Sequence, residues 1–151
     1  MDRIPTVEAL ARRGMVVADS ECCFCNSGPD SVSHLFSSCP FALSLWEKIS
    51  LWCRVLNFFV LSFRDLVEIQ NNGSRKESER KAVQGVIYTA CWLLWKARNN
   101  LRFNGKRSSV EEIFSDVRKF SCLYWPAQFS GSCVSNKVLV KKKGTTNNAT
   151  T

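Results

Sequence analysis

The sequence contains a single histidine, His34. No second imidazole is present to complete a catalytic triad or to activate a cysteine nucleophile elsewhere in the chain. Glycine-rich phosphate-binding loops are also missing, and the acidic pair Glu111–Glu112 fits a helix capping box that begins at Ser109. We therefore expect that the protein is not an enzyme and has no small-molecule substrate.

Long apolar segments are equally scarce. The longest, residues 55–63, is interrupted by Asn57 and Ser62 and falls far short of the roughly 20 residues that span a bilayer. The first residues, Met1-Asp2-Arg3, lack the apolar core of a secretory signal. We expect an intracellular protein of the nucleus or cytoplasm that is neither secreted nor attached to a membrane.

Cysteine, in contrast, is abundant and clustered around the histidine. Cys22, Cys25, His34 and Cys39 follow the spacing C-x2-C-x8-H-x4-C. In an intracellular chain such clusters indicate metal binding more than disulfides. Zn²⁺ accepts three thiolates and one imidazole tetrahedrally, and four protein ligands leave no open position for water. The spacing therefore predicts a structural zinc site without a catalytic role.

Alternatives to this ligand set remain open. Cys23 could replace Cys22, although Cys23-x-Cys25 is a less usual spacing. An iron–sulfur cluster could use the same donors, but Cys3His ligation is less common for clusters, and the four groups could also be buried without a metal. The cysteines expected to be buried as small apolar thiols are Cys53, Cys91 and Cys122.

Positive charge is concentrated in the second half of the chain. Residues 1–70 carry 6 Lys/Arg and 8 Asp/Glu, a net charge of −2, whereas residues 71–151 carry 15 and 5, a net charge of +10. This imbalance favours a polyanionic partner such as RNA or single-stranded DNA, although a solvated surface with a lysine-rich tail explains it equally well. The candidate nucleic-acid-binding residues are Arg12, Arg13, Lys96, Arg98, Arg102, Lys106 and Arg107.

Aromatic side chains near these cations have two interpretations. Phe24, Phe36, Trp95 and Phe103 could stack on unpaired bases. Alternatively they pack inside the segment from Cys22 to Cys39, called the knuckle, and the helical core. The sequence favours packing for Trp95, because it lies at core spacing.

Helical periodicity dominates the chain, and only residues 15–24 are expected to be extended. Helices are predicted over residues 4–14 with Thr6 as N-cap, from Phe41 to Cys53, over residues 77–100, and after Ser109. The predicted fold is mainly α: a small zinc-stapled knuckle is followed by an amphipathic helical bundle with little β structure. The predicted divisions are a zinc-binding domain at 1–55, a helical extension at 56–126 and a disordered basic and polar tail at 127–151.

Two segments resemble a known family. The first contains I-P-T at residues 4–6, L-x-R-R-G at 10–14, the pair Cys22-x2-Cys25, and S-H-L-F-x-x-C-P at 33–40. It resembles the zinc-binding domain that follows the polymerase in reverse transcriptases of plant LINE-type, non-LTR retrotransposons. The second, W-x-x-W-K-x-R-N at 92–99 with F-N-G-K at 103–106, is similar to a stretch found downstream in such proteins.

The resemblance implies zinc as the cofactor and a role close to nucleic acid. The Tyr-x-Asp-Asp strand of the polymerase is absent from the sequence, so the resemblance implies no catalysis, and the chain is expected to be an N-terminally truncated module detached from its polymerase. We predict a structural zinc-binding module, derived from a retrotransposon reverse transcriptase, that binds RNA or single-stranded DNA. The alternatives are a zinc-folded protein-interaction domain without nucleic-acid affinity and a non-functional remnant of a retroelement.

Overall fold

The computed structural model describes residues 6–16, 20–54, 65 and 76–124. In these residues the chain forms four α-helices and no β-strand, so the prediction of a mainly α fold is confirmed. An isolated antiparallel bridge joins Glu21 to Pro29, and a π-helical turn over His34–Ser38 precedes the second helix. The helices are α1 at Val7–Arg12, α2 at Pro40–Cys53, α3 at Glu77–Asn104 and α4 at Val110–Tyr124.

The helix ends follow local capping rules. The Thr6 hydroxyl accepts a hydrogen bond from the Ala9 N–H at 3.3 Å and caps α1. Before α4, the Ser109 N–H donates to Glu112 Oε2 at 2.8 Å and the Glu112 N–H donates to Ser109 Oγ at 3.2 Å, which confirms the predicted capping box. Gly105, with φ +64°, ends α3 in the left-handed conformation, one turn beyond the predicted end.

One hydrophobic core connects the knuckle to the helices. Helix α4 packs against both α2 and α3, and the π-helical turn packs against α2 and α3. The Trp46 indole N–H, buried in α2, donates to the Phe36 carbonyl at 2.8 Å. The core includes the knuckle residues Cys22 and Phe24 together with Val117 of α4. The predicted domain boundaries remain predictions, but no break in this core separates the knuckle from the helices in the described residues.

Three local predictions were wrong. Ser33 is a residue type that favours capping the turn that carries His34, but its side chain makes no capping hydrogen bond. The Ser31 hydroxyl accepts the His34 N–H instead. Tyr124 follows Ile113 and Val117 at helical spacing, which predicts that it shares their face, but it is exposed because the buried stripe of α4 continues at Ser121 instead. Cys53 and Cys122, predicted to be buried thiols, are only half-buried, and Cys122 is disulfide-bonded.

Two other features complete the description of the fold. Cys91 is a buried thiol, as predicted, and burial raises its pKa to about 12. No helix in the described ranges is both long enough and apolar enough to cross a membrane. The helical spacing of Phe63, Leu66 and Ile69 predicts a short helix over residues 62–69, of which the structure describes only residue 65. The predicted C-terminal tail lies outside the described residues.

Candidate metal centre

The first two ligands lie on a tight turn. The Cys22 N–H donates to the Gly28 carbonyl at 2.8 Å, and the Asn26 N–H donates back to the Cys22 carbonyl at 2.8 Å. Asn26 has φ +52°, a left-handed conformation that asparagine tolerates better than most residues. Because the chain reverses here, the side chains of Cys22 and Cys25 point toward one place.

The other two ligands come from the π-helical turn and from the start of α2. The Ser31 hydroxyl accepts a hydrogen bond from the His34 N–H at 3.1 Å, and the Cys39 N–H donates to the His34 carbonyl at 2.8 Å. Cys39 is the N-cap residue of α2 and Pro40 is its first residue, where a missing N–H has no cost. The turn thereby places His34 and Cys39 on the side facing the knuckle.

The four donor atoms converge on one place, at separations near those of a tetrahedral zinc site. All of them lie within 4.8 Å of one another. Cys22 Sγ and Cys39 Sγ are 3.8 Å apart, and Cys25 Sγ lies 3.2 Å from His34 Nε2. Zinc–sulfur bonds of about 2.3 Å in a tetrahedron give a sulfur–sulfur separation of about 3.8 Å. Cys22, Cys25, His34 and Cys39 therefore form a plausible zinc site, with Zn²⁺ as the cofactor.

The imidazole of His34 is already oriented for this role. Its Nδ1 lies 3.3 Å from Ser38 Oγ, while its Nε2 faces the sulfur of Cys25. With Nε2 bound to a metal, Nδ1 would keep its proton and donate a hydrogen bond to the Ser38 hydroxyl. Outer hydrogen bonds of this kind fix the tautomer and the ring angle of metal-binding histidines.

The thiols of Cys22 and Cys39 form a hydrogen bond, with their Sγ atoms 3.8 Å apart. A hydrogen bond from Cys39 lowers the pKa of Cys22 to about 5, against the opposing effect of burial. The same contact, together with burial, raises the pKa of Cys39. Bound zinc requires Cys22 and Cys39 as thiolates, so zinc binding would displace the proton of this hydrogen bond.

Cys23 lies outside this set of donors. Its thiol points to the Arg98 carbonyl, with Sγ 3.8 Å from the oxygen, and it does not belong to the metal-binding group. Burial, followed by the negative charge of Cys22, raises the pKa of the Cys23 thiol. This arrangement favours Cys22 over Cys23 as the ligand.

Gly28 is part of the site because its backbone lies directly against the His34 ring. A Cβ atom at this position would lie 2.6 Å from His34 Cε1 and 2.8 Å from Nδ1. Since neither the ring nor the knuckle can move without disturbing the donors, we predict that Gly28→Ala weakens zinc binding about 10- to 100-fold. A competition titration with a chelator measures this change.

Gly14→Ala is the matched control for that prediction. Gly14 has φ +78° and no atom within 4 Å of an added Cβ. The variant therefore strains the backbone at a position outside the metal site. Its zinc affinity should equal that of the wild type. Wild-type affinity in Gly28→Ala would show that the His34 ring does not depend on this contact.

A buried ion pair attaches the knuckle to α3. The Asp30 and Arg98 side chains are each 1% exposed, and Arg98 Nη2 contacts Asp30 Oδ2. Arg98 Nε also donates to Asp30 Oδ1 at 3.2 Å, and the Val7 N–H donates to Asp30 Oδ2 at 3.3 Å. One carboxylate thus joins α1, the knuckle and α3.

Two further arginines bind carbonyl groups of the knuckle. Arg102 Nη2 donates to the Glu21 carbonyl at 3.0 Å, and Arg107 Nη2 donates to the Phe24 carbonyl at 3.3 Å. The knuckle therefore rests on the last turns of α3 and on the loop that follows.

These contacts divide the predicted nucleic-acid-binding residues into two groups. Arg98 is buried, and the Arg102 side chain is only 11% exposed, so both hold the knuckle and neither presents its guanidinium to a phosphate in this structure. The candidates that remain exposed are Arg12, Arg13, Lys96, Lys106 and Arg107.

Most of the predicted stacking residues are occupied in packing. Phe24 is buried and stacks on Phe41 with ring centroids 4.2 Å apart, while Phe36 is buried and Trp95 half-buried. Phe103 remains exposed.

The sequence interpretation missed the exposed aromatic residues Tyr88 and Trp92. In the helical repeat these two residues lie opposite the apolar stripe of α3, and this position could have predicted their exposure.

The comparisons with known proteins agree with this geometry. No curated protein and no solved structure significantly matches the chain. Residues 1–46 match the sequence profile of a family described as zinc-binding in reverse transcriptase, and this segment contains all four members of the Cys3His cluster. The N-terminal part of this chain is thus similar to the zinc-binding domain of reverse transcriptases and contains a plausible zinc site.

Proposed function

We propose that this zinc-binding module binds RNA or single-stranded DNA without catalysing a reaction, and that it derives from the reverse transcriptase of a retrotransposon. Zinc has a structural role in this proposal, because three thiolates and one imidazole complete its tetrahedral shell. The bound metal supplies a fixed centre that holds the knuckle and the π-helical turn together. The chain's own cations then provide the contacts to phosphate.

The observation that carries the proposal is a carboxylate-free basic segment folded against the knuckle. Residues 80–110 contain seven Lys/Arg and no Asp or Glu. Three of these cations pair with carboxylates outside the segment, Lys81 with Glu77 and both Arg98 and Arg102 with Asp30. Lys96, Lys106 and Arg107 are exposed within it, and Arg107 lies close enough to the knuckle to donate to the Phe24 carbonyl. Cations without neighbouring carboxylates attract phosphates and release their counterions.

Salt dependence tests this function. We expect the zinc-loaded chain to bind a single-stranded RNA at low salt, with the logarithm of the affinity falling linearly as the logarithm of the salt concentration rises. Replacing Lys106 with glutamine should weaken binding and reduce the slope by about 1, because one phosphate contact is lost. Fluorescence anisotropy across a salt series measures both quantities.

Lys48→Gln provides a matched control, since Lys48 lies on α2 and is paired with Glu111 at 2.7 Å. It should leave affinity and slope unchanged. A zinc-loaded chain that binds no RNA and no single-stranded DNA even at low salt would contradict the proposal and favour a zinc-folded protein-interaction domain.

A further inference from the structure

Helix α3 presents aromatic side chains to solvent on the side opposite the core. Tyr88 is 50% exposed and Trp92 is 47% exposed. They are four residues apart, which places them on the same helix face at a rise of about 6 Å. Lys96 follows after one more turn and is also exposed. We call Tyr88, Trp92 and Lys96, with Phe120 of α4 beside them, the aromatic face.

We propose that the aromatic face is where unpaired bases of a single-stranded nucleic acid stack, with Lys96 beside them to contact phosphate. This inference rests on the proposed nucleic-acid-binding function and assigns it to specific residues. Neither the family match, which ends at residue 46, nor the zinc site includes any of these residues.

The Trp92 ring is held in place by its neighbours while keeping about half of its surface in solvent. The Phe120 ring packs against it edge to face, with centroids 5.9 Å apart and an interplanar angle of 86°. The Lys96 ammonium lies 5.2 Å from the Trp92 ring centroid. A ring that is already ordered loses little conformational freedom when a base stacks on it.

Tyr88 and Trp92 are not part of the buried core, although Phe120, on which Trp92 packs, lies against it. The buried residues of α3 lie on the other side of the helix and include Val86, Ile87, Ala90 and Leu94. Side chains as large as Tyr88 and Trp92, exposed next to each other, indicate a surface for a partner.

The charge around the aromatic face favours nucleic acid as that partner. No Asp or Glu lies between residues 80 and 110, so no carboxylate of α3 near this face competes with a phosphate for Lys96. A single strand is favoured over a duplex because only unpaired bases have π-faces available for stacking.

The test uses the full zinc-loaded chain and a fluorescein-labelled oligouridylate of about 12 nucleotides, within the range of known single-strand site sizes. We expect Trp92→Ala to weaken binding about 5- to 150-fold, which corresponds to the loss of one stacked base. Trp92→Phe, which keeps an aromatic ring, should recover most of the affinity. The same oligonucleotide annealed to its complement should bind the wild type more weakly than the single strand does.

Leu51→Ala is the matched control, because Leu51 is 72% exposed on α2 and belongs to no aromatic group. It should bind as the wild type does, and every variant should retain its zinc. If Trp92→Ala loses zinc, Tyr88→Ala replaces it, because Tyr88 is exposed and its hydroxyl contacts only the nearby side chain of Gln84 among the described partners.

The outcomes separate the inference from the function on which it rests. A wild-type chain that binds oligouridylate, together with Trp92→Ala and Tyr88→Ala variants that bind equally well, would overturn the aromatic face and leave nucleic-acid binding intact. A wild-type chain that binds neither the single strand nor the duplex at low salt would overturn both.

Discussion

Replacing Cys25 with serine is expected to abolish zinc binding and to unfold the knuckle. Structural zinc sites contribute apparent binding free energies of about 10–16 kcal/mol, whereas whole domains are stable by only about 5–15 kcal/mol. Serine cannot replace the lost thiolate, and the remaining donors include Cys22 and Cys39, which are buried. His34→Ala should have the same effect, because it removes the only imidazole in the chain.

Zinc stoichiometry and thermal unfolding measure this effect together. The wild type should hold one zinc and lose its cooperative transition when a chelator is added, while Cys25→Ser should resemble the chelated wild type from the start. Cys23→Ser is the matched control, since it makes the same chemical change at the neighbouring residue, whose thiol faces the Arg98 carbonyl. A Cys25→Ser variant that retains zinc and stability would contradict the assignment of Cys25 as a ligand.

Breaking the ion pair between Asp30 and Arg98 is expected to be the next largest perturbation. Both side chains are 1% exposed, so removing one partner leaves a buried charge without its main counter-charge. For Asp30, the Arg102 Nε at 3.5 Å remains. Such losses cost about 3–5 kcal/mol. We therefore expect Arg98→Met to destabilise the zinc-loaded chain by about this amount, and Asp30→Asn to do the same.

The double variant, Asp30→Asn with Arg98→Met, distinguishes a buried charge from a general packing defect. Because neither charge remains, it should be more stable than the sum of the single losses predicts. The exposed pair Lys48–Glu111, at 2.7 Å, provides the matched control, and its removal should cost no more than about 1 kcal/mol. Urea unfolding of the zinc-loaded variants measures all of these values, and strictly additive single effects would contradict the ion-pair interpretation.

The ion pair between Asp30 and Arg98 gives the segment at residues 92–99 a structural role. Arg98 belongs to the W-x-x-W-K-x-R-N stretch and was predicted to bind nucleic acid. In the structure it is 68 residues from Asp30 along the chain and in direct contact with it. The stretch therefore contributes to the knuckle through Arg98 and to the surface through Trp92 and Lys96.

Features set by neighbouring residues were predictable from the sequence. The ligand spacing, the Thr6 cap, the capping box at Ser109 and the apolar stripe of α2 all depend on residues within a few positions of one another. The structure has each of them where the sequence placed it.

Features set by tertiary contacts were not predictable in the same way. No local pattern separates Arg98, which is buried against Asp30, from Lys96, which is exposed two residues earlier. From the sequence, Gly28 is an ordinary turn glycine. Its contact with the His34 ring could not be predicted, because it depends on the π-helical turn. That turn is also not encoded by a simple periodicity, since it follows neither the α-helical nor the strand repeat.

Zinc content of the purified wild-type chain tests the central claim most directly. Mass spectrometry under non-denaturing conditions, followed by the same measurement after unfolding, reports how much metal the folded chain holds. The account predicts one zinc per chain that is released on unfolding. A folded chain that contains no zinc, or one that holds an iron–sulfur cluster on the same cysteines, would contradict it.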